Sequence, residues 1–84
     1  MSITVRFFAS LREITGEGTM VILQAGNIDE LLTELSRQLS AEAMTALTAE
    51  HVRLAHNQQL ITGMEPVRLR DGDEVAFMPP VTGG

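Results

Sequence analysis

The chain has 84 residues, 44% of them hydrophobic and 20% charged, with six basic side chains against eleven acidic ones. That is one small globular domain with a thin core, an expected stability of about 4–13 kcal/mol and no room for a deep active site of its own. All six basic residues are arginine and there is no cysteine. Disulfides, thiolate metal sites and a cysteine nucleophile are therefore excluded. A net charge of −5 without a basic stripe argues against nucleic acid and against an anionic membrane surface. It suits a partner with a basic docking face. No apolar run is longer than the four residues of Met20 to Leu23, too short for a membrane span or a signal core, so the protein is expected to be cytoplasmic.

Ile3, Val5 and Phe7 alternate with Thr4, Arg6 and Phe8, which predicts a strand. Ala9 to Ile14 suits a short helical turn, ended by Thr15-Gly16. Thr19 to Gln24 is a second β-rich run, and Gly16 and Gly18 between the two runs predict a hairpin. Asn27 offers a helix N-cap with Glu30 three residues on, a variant of the capping box. Ile28, Leu31, Leu32, Leu35 and Leu39 then form one apolar stripe at helical spacing. Ser40 is expected to cap a shorter helix that buries Ala43, Met44 and Leu47.

Val52 and Leu54 begin a further strand, stopped by His56-Asn57-Gln58. Leu60-Ile61 and Val67 to Leu69 are short extended pieces separated by Gly63 and Pro66. Asp71-Gly72-Asp73 is a tight turn, and Glu74 to Met78 is the last strand, ended by Pro79-Pro80. One helix with one apolar stripe covers one face of one sheet. The expected class is α+β: a β-grasp layout with a mixed sheet, one main helix and short helical segments. The domain is expected over 1–78, with an extended tail over 79–84.

That tail, Pro79-Pro80-Val81-Thr82-Gly83-Gly84, is the most informative segment. The prolines favour a stiff extended spacer, able to reach about 20 Å beyond the sheet. Two glycines without side chains leave a terminal carboxylate unshielded and let the strand thread a narrow channel. An ionised carboxylate is a poor nucleophile and an inert electrophile. Adenylylation by ATP makes it a good acyl donor, and displacement of the adenylate by a sulfur nucleophile leaves a thiocarboxylate. The lack of lysine gives an activated terminus no amine of its own to acylate, although arginine serves a solvated surface equally well.

Arg6-Phe7-Phe8-Ala9 with Leu11-Arg12-Glu13, and DGDEVAFMPPVTGG from Asp71 onward, resemble the small subunit of molybdopterin synthase, a ubiquitin-like sulfur carrier. The resemblance covers the whole length. It implies that the Gly84 carboxyl is adenylated by a ubiquitin-activating-like adenylyltransferase and becomes a thiocarboxylate. It further implies that Pro79, Pro80, Val81, Thr82 and Gly83 thread the partners' active sites. The large catalytic subunit would then receive sulfur for cyclic pyranopterin monophosphate. On this reading the chain holds no cofactor stably, ATP is used by the activating partner, and the sulfur donor is not identified. The chain is then no enzyme by itself but the sulfur-donating subunit of a heterotetrameric synthase.

Strand parity puts Phe8 and Met78 on the face away from the main helix, as a partner-docking patch. A loop or the Ala9–Ile14 segment covering Phe8 is the alternative. The resemblance adds Leu60 and Arg12 to that patch. No metal site is expected: His51 and His56 lack further ligands, and Asp71-Gly72-Asp73 lacks those of a calcium loop. Three other functions fit the same layout. A ubiquitin-like protein modifier predicts reduction-resistant conjugates. A thiamine-type sulfur carrier shares the Gly-Gly end. A non-covalent β-grasp binding module predicts no ATP–pyrophosphate exchange.

Overall fold

The computed structural model describes residues 1–62 and 66–79. In chain order the elements are β1 (Ile3–Phe7), α1 (Ser10–Thr15), β2 (Thr19–Ile22), α2 (Ile28–Gln38), α3 (Ala41–Leu47), β3 (Arg53–His56), β4 (Gln59–Leu60) and β5 (Glu74–Met78). The five strands form one sheet in the order β2-β1-β5-β3-β4. β1 and β5 run parallel, and every other neighbouring pair is antiparallel. The first and last strands thus sit centrally, as their alternating apolar positions require.

Ile3, Val5 and Phe7 of β1 share a face with Val75 and Phe77 of β5, and all five are fully buried. The Phe7 and Phe77 rings stack with centroids 5.6 Å apart. Leu31 and Leu35 of α2 close over this face, each burial contributing about 1.5–3 kcal/mol. Leu11 of α1, Ile22 of β2, Ala25, Leu47 of α3 and Leu69 complete the core. Met44 is only partly buried at its margin.

The helix caps follow the sequence. The Asn27 Oδ1 accepts from the Glu30 N–H at 2.8 Å. Glu30 Oε1 reaches back to the Gly26 N–H at 2.6 Å, one residue before the usual capping-box partner. Ser40 Oγ accepts from the Ala43 N–H at 3.0 Å. Gly16, left-handed at φ 75°, ends α1.

Several expected boundaries change. β1 and β2 pair antiparallel, but α1 sits between them, so they are not joined by a simple turn. β2 stops at Ile22, short of Gln24. Val52 lies outside β3, and His56 does not stop the strand but ends it as a paired residue, opposite Gln59 and Val75. The turn is Asn57-Gln58, both with positive φ (49° and 71°), as a two-residue hairpin demands. β4 is accordingly Gln59–Leu60, one residue earlier than expected. Val67 to Leu69 is reduced to a single bridge between Arg68 and Asn27. The Gly63 break lies outside the described residues.

Candidate docking face and tail exit

The face of the sheet opposite α2 follows from register. Leu60 pairs with Ala55, Ala55 with Ala76, and Ala76 with Arg6. One row therefore crosses the sheet from Leu60 to Arg6. Arg53 pairs with Met78 in the next row, toward the end from which the chain leaves β5. Leu60 is 59% exposed. Ala55 and Ala76 are small and buried between their neighbours, so the floor of this face is shallow.

The Phe8 N–H donates to the Phe77 carbonyl at 3.1 Å, which sets Phe8 beside Met78. The Arg6 guanidinium carbon lies 5.1 Å from the centroid of the Phe8 ring. Because Arg6 belongs to the face away from α2, the Phe8 ring stands there too. Phe8 and Met78 are both half-buried, and Pro79 follows directly where β5 ends. Phe8 and Met78 thus lie side by side next to Pro79, with a guanidinium resting on part of that surface. This stacking contributes about 0.5–1 kcal/mol at an exposed site.

The other two expected docking residues are not in one cluster with these. Leu60 stands on the edge strand β4, two strands away from β5. Arg12 stands on the opposite side: its exposed side chain lies beside Gly18, where any Cβ would come within 3.5 Å of Arg12 Nε. The four residues bracket the sheet rather than gather at one point. Pro80, Val81, Thr82, Gly83 and Gly84 lie outside the described residues.

Three features were not anticipated. Arg53 joins the patch only through the β3–β5 register, which no local pattern reveals. Ala9 adopts φ 51°, ψ −126°, a conformation that costs a non-glycine residue about 1–3 kcal/mol. It turns the chain sharply between Phe8 and α1. Finally, the charged residues in the strand rows of this face are Arg6, Arg53 and Glu74, with Arg6 3.8 Å from Glu74. The net acidity of the chain is therefore not carried here, and the expectation of a basic docking partner does not match this face.

A cavity of about 680 Å3 elsewhere, along α2, has no free acid–base set. Of its three carboxylates, Glu30 is committed to capping and Glu34 is paired to Arg37 at 2.6 Å, which leaves Asp29 as a single acid with no side-chain base beside it in the lining. Among the described residues no cluster of three or more histidine, aspartate or glutamate side chains is placed to hold a metal ion. His56 instead bonds Asp73 through Nε2 at 2.7 Å, and His51 is exposed. No described helix is long and apolar enough to cross a membrane.

A mixed five-stranded sheet under one main helix, with the last strand running out from its centre, defines a ubiquitin-like β-grasp protein. The small archaeal modifier protein 1 from Methanosarcina acetivorans has this fold, with a TM-score of 0.81 over 99% of this chain and 96% of that one, at 24% identity. The chain belongs to the ThiS family, whose pattern it matches over residues 5–84. It is 41% identical to a molybdopterin synthase sulfur carrier subunit of Escherichia coli, over 98% of this chain and 99% of that one. It also resembles, at 27% identity and a TM-score of 0.69, a chain in the complex of subunits 1 and 2 of the molybdopterin-converting factor from Helicobacter pylori, with both chains fully covered.

Proposed function

We propose that this chain is the sulfur carrier subunit of a molybdopterin synthase, working in the cytoplasm with Gly84 as its reactive residue. The observation that carries the reading is the position of the Phe8–Met78 patch. It lies at the end of the sheet where β5 passes into Pro79, so a partner seated on it would stand next to the start of the tail. Membership of the family and the names of its relatives support the same reading.

The chemistry is a cycle at one carbonyl carbon. The Gly84 carboxylate attacks the α-phosphorus of ATP in an adenylyltransferase and pyrophosphate leaves. Sulfide then displaces AMP to leave the thiocarboxylate directly; a persulfide would instead leave an acyl disulfide, whose sulfur–sulfur bond a thiol must reduce to release the same thiocarboxylate. In the large synthase subunit that sulfur forms a carbon–sulfur bond to the pterin precursor while a carbon–oxygen bond at the same carbon breaks and its oxygen leaves. Hydrolysis of the acyl–sulfur bond returns the carboxylate. This chain supplies the acyl group, the spacer and the docking face, and the partners supply the catalytic side chains.

Intact mass after incubation with ATP, an adenylyltransferase and a sulfur source tests this. The expected product has one oxygen replaced by sulfur at Gly84. Full sulfur transfer by a chain lacking Gly84 overturns the reading. Reduction-resistant conjugates to other proteins, without a thiocarboxylate, would place the chain among protein modifiers instead.

A further inference from the structure

The two edges of the sheet are finished differently. β4 has only two residues and leaves little backbone to pair. β2 is longer, and the stretch from Thr19 to Gln24 contains no charged residue and no proline. Its hydrogen-bond phase is fixed by the Phe7 N–H, which donates to the Gly18 carbonyl at 3.0 Å. Alternation then points the N–H and C=O of Met20 and Ile22 toward β1, and those of Thr19 and Val21 off the edge. Val21 is 54% exposed and the adjoining Leu23 is 68% exposed, both high for large apolar side chains. Natural edges are normally blunted by charge, proline or shortness; this one carries no charge and no proline, and at four residues it is twice the length of β4.

We propose that the free edge of β2 pairs antiparallel with the same edge of a second copy of this chain, across a two-fold axis at Val21. Only an extended backbone satisfies an open strand edge, and this strand is complementary to itself. With Val21 facing its own counterpart, Thr19 faces Leu23 and Met20 faces Ile22. Glu17 then faces Ala25, so no like charges meet along the ladder. A groove of about 500 Å3 along the edge is lined by Val21, Leu23, Gln24, Glu34 and Gln38. Glu34, its one charge, is offset by Arg37. The axis lies at the far edge of β1 from β5, so each copy keeps its strand end at Met78 free.

The contact is small. A standard interface takes about 800 Å2 from each partner, and one short strand with two exposed apolar side chains offers less. Each copy also carries −5. The dimer is therefore weak, on the order of 100 μM, and tightens with added salt as the net repulsion is screened.

Sedimentation equilibrium of the full chain, from about 10 μM to 1 mM in low and high salt, tests this. The expected weight-average mass rises from 9.2 kDa toward twice that value, more steeply in high salt. Val21→Lys abolishes the rise by placing a charge at the axis. Val21→Pro abolishes it too, by deleting an N–H that points off the edge while keeping those bonded to β1. Circular dichroism melts show whether each variant stays folded. Ile14→Lys, on α1, leaves the dimer unchanged. A monomer at 1 mM in high salt overturns the proposal. So does a dimer that survives folded Val21→Lys, or one that Ile14→Lys breaks.

Discussion

The two ends of the sheet are built on opposite terms. At the end where β5 begins, polar groups are satisfied against one another. Asp73 accepts from His56 Nε2 at 2.7 Å, from the Arg70 N–H at 2.9 Å and from Asn57 Nδ2 at 3.1 Å. Asn57 also takes the Glu74 N–H on its Oδ1 at 2.8 Å, and its own N–H donates to the Glu74 carbonyl at 2.9 Å. This knot ties the β3–β4 turn to the start of β5. At the other end Phe8 and Met78 are only half-buried, and a strained Ala9 holds the turn. A domain with a thin core holds its hydrogen-bonded closure at one end, and the proposed function assigns docking to the other, so stability and function should be separable by mutation.

The largest effect expected from breaking that separation is at the tail. Removing Gly84 should reduce sulfur transfer in a reconstituted synthase to background while leaving the thermal unfolding curve unchanged. Next comes the docking face. Met78→Asp puts a charge in the apolar patch and should weaken binding to the large subunit by about tenfold or more, measured by calorimetry. Because Met78 is only half-buried, the melt of the free chain should move little. A large loss of stability in Met78→Asp would show that the two ends are coupled.

How far this division was legible in the residues depends on the range of the signal. Asn27, Ser40 and the leucine stripe of α2 act within a few residues of themselves, and both caps and both fully buried leucines appear where the pattern puts them. Parity in β1 and β5 sufficed to put Phe8 beside Met78, because those strands read cleanly and are neighbours. His56 was misread as a strand stop because its role is to meet Asp73, seventeen residues on. Arg53 reaches the patch only through pairing with Met78. Nor does any propensity forecast φ 51° at an alanine; the geometry of the exit from β1 imposes it. Local chemistry could be read from the sequence, whereas register and long-range hydrogen bonds could not.

The hydrogen-bonded end gives the two smaller predictions. Asn57→Ala removes an acceptor for the Glu74 N–H and a donor to Asp73, and puts alanine at φ 49°, so it should cost about 1–3 kcal/mol. Binding to the large subunit should not change. The last prediction concerns acid. The hydrogen bond from His56, then those from the Arg70 N–H and the Asn57 amide, hold the Asp73 carboxyl down at about 2, against 3.8 without them. The folded state then binds the Asp73 proton less readily than the unfolded chain does, so protonation favours unfolding. Its contribution is fully present above about pH 4 and is lost as the pH falls through about 2. The melting temperature of the wild type should therefore drop more steeply between pH 4 and 2 than that of Asp73→Asn, whose amide cannot titrate. All other carboxylates are common to both chains, so the difference between the two curves isolates this knot. Parallel curves would mean that Asp73 gains nothing from its three donors, and that something else closes this end of the sheet.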